Sequence, residues 1–487
     1  MKDFDYYLKT VGEIGYVEAF TYDLAYVSGI PNVKIGEMVI TENNDLGMVI
    51  GMDQKLAEVL IFSYQRIRGG ERITRTNQPF SISFNENVLG RVIDPLCSPL
   101  DGLPLEGEKI SRPIENEAPN ITERVKVNRP METGVMLVDL MVPIGYGQRE
   151  LVIGDRETGK TLFLVQAIAN QVKKGVVCVY AAIGKNRLDI KNTEKALKKN
   201  FALENTTIIA APSDIPSSII YLAPFTAVTI AEYFRDTGKD VLLILDDLTN
   251  HAKIYREISL LLKRMPGRDA YPGDIFHIHA KIMERTGNIR IKNGKEVSIT
   301  ALPVAQTLEN NLSGYIQTNL MAMTDGHIFF DINEFRKGKL PAINIFLSVS
   351  RVGNQTKSAL ERSMADLIRK HLSDYREALE VATFGVDLPE KTKKIIDLGK
   401  KIELVLEQDP ETIIPRTMQI LIMGLLLSGF WDKKTEKEIK NDIQKLLESY
   451  NKKGLVGIEE SLNTLGSLEE LRIFIRNNYQ KIASLIK

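Results

Sequence analysis

Cysteine, histidine, tryptophan and net charge are all scarce in this protein. Among 487 residues there are two cysteines, five histidines and one tryptophan, and 63 basic residues balance 63 acidic ones. The two cysteines, Cys97 and Cys178, lie far apart and match no metal-ligand spacing. Cys178 sits inside the apolar run VVCVY and reads as a core thiol, so a disulfide framework is excluded and a reducing compartment is expected. His277 and His279 flank one residue in IFHIHA, which reads as one face of a strand. No third ligand lies at local spacing, so no metal centre is expected there. The balanced charge argues against a nucleic-acid protein held by bulk charge. The N-terminus, MKDFDYYLKT, lacks the apolar core of a signal peptide. No 18-residue apolar span is read; the longest candidate, ILIMGLLLSGF at 420–430, reads as a buried helix. Any membrane role is therefore expected to be peripheral. Internal repeats and low-complexity tracts are absent as well.

What the sequence does have is the stretch GDRETGKT at 154–161, which fits the pattern GxxxxGK[ST]. ELVI at 150–153 reads as a buried strand before it, and LFLVQAIANQV at 162–172 as a helix after it. Strand, glycine loop and helix in that order are what a phosphate cradle needs. Backbone N–H groups wrap the anion and the helix N-terminus adds its positive dipole end. On this reading Arg156, Glu157, Thr158 and Gly159 line the cradle. Lys160 reaches the β- and γ-phosphates, and the Thr161 hydroxyl sits on Mg²⁺.

The texture of the sequence changes twice. Residues 1–78 hold short, closely spaced β-like segments (IGYVEAF, YDLAYVSGI, GEMVIT, LGMVIGM, AEVLIF), which predict a small β-barrel. Residues 79–357 alternate strands with helices around the phosphate loop. Strands are read at 176–182, 207–211 and 241–246, and helices at 191–200 and 226–234, which predicts an α/β nucleotide-binding domain with a mainly parallel sheet. Residues 358–487 carry apolar positions at three- and four-residue spacing over 357–374, 392–406, 437–449 and 468–485, which predicts an α-helical domain.

Two further places carry chemistry. VLLILDD at 241–247 is an apolar strand ending in two carboxylates, about 85 residues after the loop. Asp246 is the candidate to hold hydrated Mg²⁺ through water, and Asp247 the second choice. Arg351 follows INIFLSVS, read as a strand. Taken alone, an arginine there reads first as a structural ion pair and second as a phosphate ligand.

Longer stretches bring in a resemblance. The segment 231–276, with SITALPV at 298–304, PAINIFLSVSRVG at 341–353 and GRVIDPL at 90–96, resembles the α subunit of the F-type ATP synthase soluble head nearly end to end. The resemblance implies a β-barrel, a RecA-like phosphate-loop domain and C-terminal helices. It implies ATP or ADP with Mg²⁺ as ligands, and a place in an alternating three-plus-three ring with a catalytic β-type subunit around a γ-type shaft. It places such a head in the cytoplasm, peripheral to the inner face of the membrane and touching it only through other subunits. In the family only β hydrolyses ATP, with a glutamate in a GER motif; here that segment reads Gly184-Lys185-Asn186-Arg187. A lysine cannot orient or deprotonate the attacking water as a carboxylate does, which implies that the site on this protein is not itself catalytic. Arg351 matches the arginine that α donates in trans to the neighbouring β site, and Gln408 matches the first of two glutamines near the adenine.

The sequence also departs from the family. Glu157 stands where the α loop usually has Gln. Pro410 falls at the second adenine glutamine, and Leu340 replaces an arginine before the Pro-Ala-Ile-Asn run. The resemblance begins near the barrel, so most of the N-terminal segment that grips the peripheral stalk is expected to be missing. These departures, with a composition rich in lysine and asparagine, suggest a divergent mollicute-type paralogue. They leave open a structural or regulatory ring subunit of a repurposed motor, such as gliding machinery, that needs no bound nucleotide.

Overall fold

A computed structural model describes residues 2–53, 55–383, 389–454 and 458–486. The protein divides into two compact units. One comprises residues 1–126, 146–156 and 171–325, and the other residues 127–145, 157–170 and 326–487.

The first unit opens with six strands that close into an antiparallel barrel. The order around it is Ile14–Thr21, Leu24–Ser28, Ala57–Phe62, Leu46–Met52, Glu37–Thr41 and Arg72–Pro79. The barrel is filled by β-branched side chains, among them Val17, Val27, Val39, Val49, Val59 and Ile73, the residue types that suit a pleated surface. The rest of the unit is built on a parallel sheet with helices between its strands, among them Arg187–Lys199, Ser217–Asp236 and Leu248–Leu261. Its order is Glu150–Gly154, Glu296–Gln306, Val241–Asp246, Val177–Lys185, Thr206–Pro212 and Val92–Ile93, with Gly287–Arg290 antiparallel on Glu296–Gln306. Every residue of Val241–Asp246 is buried, as expected of a strand covered on both faces.

The second unit is mainly helical: Ala359–Thr383, Glu390–Leu406, Arg416–Leu427, Glu436–Lys453, Glu459–Thr464, Leu468–Asn477 and Tyr479–Ile486. Barrel, α/β nucleotide-binding fold and helical C-terminal region are thus all present, as expected.

Four local readings need correction. IFHIHA is not a strand but part of the helix Ile275–Glu284. His277 and His279 therefore point apart; His279 is buried and His277 is exposed. INIFLSVS is strand only at Val349–Ser350, because residues 345–347 form a turn, held by Asn344, whose side chain accepts from the Phe346 and Leu347 backbones. The helix read at 468–485 is interrupted at Asn478 and forms two helices. Finally, Ser217–Asp236 is long and apolar enough to cross a membrane by composition, but 89% of its apolar window is buried inside the protein. Its Glu232 pairs with Arg285 at 2.6 Å, both nearly inaccessible, so this is a core helix rather than a lipid-facing one.

Candidate nucleotide site

The loop begins where Glu150–Gly154 ends. Asp155 fixes its first half, accepting from the Thr307 hydroxyl and, at 3.1 Å, from the Asn310 N–H. Arg156 is exposed and donates to Gln306 Oε1 at 3.2 Å. Glu157, also exposed, adopts φ 61°, a left-handed conformation that any residue with a Cβ adopts at a cost. Thr158 is fully buried. Gly159 has φ 96° and no atom within 4 Å of where a Cβ would stand, so its role is conformational and the space beside it is open. Lys160 opens the helix Lys160–Lys173, with Nζ 3.5 Å from Thr158 Oγ1. Thr161 is exposed in the first helical turn, where a ligand can meet its hydroxyl.

The acidic strand end looks different. Asp246 is 1% exposed. Its Oδ2 accepts from the Tyr180 hydroxyl at 2.6 Å, and Lys185 Nζ lies 2.7 Å from its Oδ1 as an ion pair. Burial of Lys185 works against its charge, but the carboxylates of Asp246 and Asp247 outweigh burial and raise its pKa. The Tyr180 phenol is pushed well above its ordinary value by burial and then by the Asp246 charge. Asp247 caps the helix Leu248–Leu261, its Oδ1 accepting from the Asn250 N–H at 2.7 Å, a structural task for the second carboxylate. Sequence reasoning does not find the Lys185–Asp246–Tyr180 cluster. Its signal is the parallel register that sets Ala182 opposite Asp246.

Arg351 is exposed. It follows Val349–Ser350, which pairs antiparallel with Gly326–Phe330. Ser350 Oγ donates to the Pro143 carbonyl at 2.6 Å and accepts from the Gly353 N–H at 3.2 Å. A Cβ on Gly353 would lie 1.7 Å from that same carbonyl oxygen, so only glycine lets the backbone pass. The local positive charge of Arg351 adds to burial in lowering the pKa of His327.

Gln408 is buried, and its amide is already used. Oε1 accepts from the Met136 N–H at 2.9 Å, and Nε2 donates to the carbonyls of Gly134 at 2.7 Å and Thr412 at 2.6 Å. Gln408, Leu340 and Pro410 border a cavity of about 20 Å³ against Thr158 and Gly159, room for about one water. They also border an open groove of about 690 Å³ that reaches Gln444 and Asn451, large enough to take a small molecule.

Comparison with known proteins agrees with this architecture. Residues 134–350 match the nucleotide-binding domain of the ATP synthase alpha/beta family, and residues 355–473 match the family's C-terminal domain. The protein is 39% identical to the ATP synthase subunit alpha of Dictyoglomus turgidum, over 92% of its own length and 88% of the relative. It is 41% identical to the subunit alpha of Metamycoplasma arthritidis, over 87% and 80%, and 40% identical to that of Acholeplasma laidlawii, over 88% and 85%. A phosphate loop following a strand of a parallel sheet, a six-stranded barrel, a helical C-terminal region and relatives of this closeness lead to one conclusion: the protein belongs to the ATP synthase alpha/beta family, on its alpha-subunit side.

Proposed function

We propose that this protein is the non-catalytic, nucleotide-binding α-type subunit of a rotary ATPase head. It holds ATP or ADP on the loop 154–161 and donates Arg351 to the catalytic site of a neighbouring β-type subunit. The observation that carries the reading is the Lys185–Asp246 ion pair at 2.7 Å. A cation that is itself neutralising a carboxylate cannot act as the base or water-orienting group of hydrolysis. Lys160 supplies charge to the phosphates, and the exposed Thr161 hydroxyl is the group placed to meet Mg²⁺ arriving with the nucleotide. Asp246, the candidate for a water-mediated contact to Mg²⁺, already accepts from Tyr180 and pairs with Lys185, so a hydrated ion would compete there with an ammonium. The ring alternates with β-type subunits around a γ-type shaft and works at the inner face of a membrane without entering it.

The test is the ATPase of the assembled head. Arg351→Ala lowers turnover by about 10³-fold or more while subunit composition is unchanged. Wild-type turnover in the variant head, or ATP hydrolysis by this subunit alone that disappears in Lys160→Ala, overturns the proposal. The committed Gln408 amide and the 20 Å³ cavity favour a second reading, a structural ring subunit that works without nucleotide. Its signature is a native complex that retains no nucleotide at saturating Mg-ATP.

A further inference from the structure

The carbonyls at the end of the short helix Met136–Met141 are met by side chains from the stretch that carries Arg351 and from the helix after it. Lys357 Nζ donates to the Leu140 carbonyl, Ser350 Oγ to the Pro143 carbonyl at 2.6 Å, and Arg369 Nη2 to the Met141 carbonyl at 3.3 Å. The last carbonyls of a helix have no partner within it, so each takes a donor from elsewhere. Between these contacts the chain is tied to itself. Thr356 Oγ1 donates to the Gly353 carbonyl at 2.7 Å, and the Gly353 N–H donates to Ser350 Oγ at 3.2 Å. Arg351 is thus bracketed by two anchors on one strip of backbone: Ser350 immediately before it, and Lys357 just past the turn Gly353–Thr356.

Lys357 is 6% exposed. Taking an ammonium out of water is costly, and an apolar side chain of similar length would fill the space without that cost. What the lysine adds is a directed donor on a long tether. Burial pulls its pKa down to about 8, against the charges of Glu361 and Asp139. The charged groups around it are Asp139 on Met136–Met141, and Glu361, Asp366 and Arg369 on Ala359–Thr383. Arg416, on Arg416–Leu427, pairs with Glu361 at 2.5 Å.

We propose that Lys357 is a positioning residue for Arg351: by tying the turn Gly353–Thr356 to the Leu140 carbonyl, it fixes the direction in which the guanidinium leaves this subunit. The inference rests on the proposed role of Arg351 at a neighbouring catalytic site and adds what aims it. A misplacement of about 1 Å can cost on the order of 10²-fold where rate depends on geometry.

The experiment measures kcat and KM for ATP hydrolysis by the assembled head. Lys357→Met lowers kcat about 10- to 100-fold and leaves KM within about twofold. In an Arg351→Ala head the same substitution takes less than about twofold more, since no guanidinium is left to aim. Lys357→Arg, which keeps the charge and the donors, holds kcat within about threefold of wild type. Equal losses in the two backgrounds, or wild-type kcat in Lys357→Met, overturn the inference and leave the role of Arg351 standing. Wild-type turnover in the Arg351→Ala head overturns that role and the inference with it. If Lys357→Met does not enter the head, the pH profile of Lys357→Arg decides. Between pH 7 and 9.5 Lys357 loses its proton and its attraction to Asp139 and Glu361, whereas an arginine stays charged. Asp139, whose own pKa burial raises to about 6, stays ionised over that range. Wild-type kcat then falls by about threefold or more relative to Lys357→Arg, and parallel profiles overturn the inference.

Discussion

Positive charge is handled in two opposite ways in this protein, and one place in each unit shows the contrast. In the first unit, cations that leave water meet a carboxylate inside the fold. Lys185 meets Asp246 at 2.7 Å, Arg285 meets Glu232 at 2.6 Å, and Arg75 meets Glu37 at 2.9 Å inside the barrel. In the second unit Arg351 stays exposed on a short segment, where Ser350 Oγ donates to the Pro143 carbonyl and accepts from the Gly353 N–H. Burying a charge demands a partner, because desolvation costs several kcal/mol per ion. A charge left in water keeps its capacity to bind something outside its own subunit. The buried cations therefore complete the fold, and the exposed Arg351 is the residue for which we propose a role on a neighbouring molecule.

The largest expected effect tests the exposed side of this contrast. Arg351→Ala takes about 10³- to 10⁵-fold from the ATPase of the assembled head, while the melting temperature of the isolated subunit moves little. Arg351→Lys does not restore the rate, since an ammonium lacks the planar two-pronged donor set of guanidinium. A large loss of stability in the isolated subunit would instead make Arg351 a structural residue and erase the contrast.

Arg285→Ala tests the buried side. Glu232 would be left buried without its guanidinium, and Thr229 and the Ile114 carbonyl would lose donors as well. A destabilisation of about 3–5 kcal/mol is expected in urea unfolding. Replacing both partners by apolar residues of similar size costs far less, because no uncompensated charge remains. Should the single variant cost under about 1 kcal/mol, within the range of exposed pairs, burial would not be what governs these contacts.

A buried pair with no carboxylate sharpens the comparison further. His251 Nε2 lies 3.1 Å from the Tyr221 carbonyl, which can only accept, so that nitrogen carries the proton. His251 Nδ1 then accepts from His279 Nε2–H at 3.1 Å. Both imidazoles are neutral in the fold: burial lowers the pKa of His251 to about 4 and that of His279 well below its ordinary value. Because the folded pKa values lie below the unfolded ones, this contribution is complete above about pH 6.5 and is lost as pH falls toward 4. For His251 alone the loss is on the order of 3 kcal/mol. Unfolding free energies measured from pH 7 to 4.5 should fall more steeply in the wild type than in a His251→Phe, His279→Leu double variant. Equal slopes would mean that the pair titrates freely.

Much of this is legible in the sequence, and the failures have physical causes. The strand at 241–246 is found where its pattern predicts it, because an uninterrupted run of valine, leucine and isoleucine fits a doubly covered strand. The phosphate loop is legible because its glycine spacing encodes a backbone shape. IFHIHA misleads because a few residues with alternating histidines match a strand pattern while a helix claims them by tertiary packing. Ser217–Asp236 does not stand out as a long apolar helix because Glu232 and Arg235 interrupt the run; Glu232 finds Arg285 elsewhere in the fold, and Arg235 pairs with the adjacent Asp236. The Lys185–Asp246 pair is not legible because the residues lie far apart in sequence and only sheet register joins them. The structure likewise turns Gln408, singled out by its place in a motif, toward backbone groups of residues 134, 136 and 412.

Glu157 gives the smallest expected effect and the clearest separation of exposed from buried charge. It sits in the phosphate loop at φ 61°, exposed to solvent. Gln has the same branching and the same backbone cost there, so Glu157→Gln changes charge alone. Removing one exposed negative charge beside a polyphosphate should tighten ATP binding by about two- to fivefold at low salt, which is roughly 0.5–1 kcal/mol through water-like dielectric. At 1 M salt, with a screening length of about 3 Å, the difference should vanish. The Lys185–Asp246 pair is sheltered by burial, so the stability lost in Lys185→Gln should persist at the same salt concentration. Measurements on both variants at low and high salt thus assign each charge to one side of the contrast. An affinity change at Glu157 that survives 1 M salt would mean that this carboxylate touches the ligand directly.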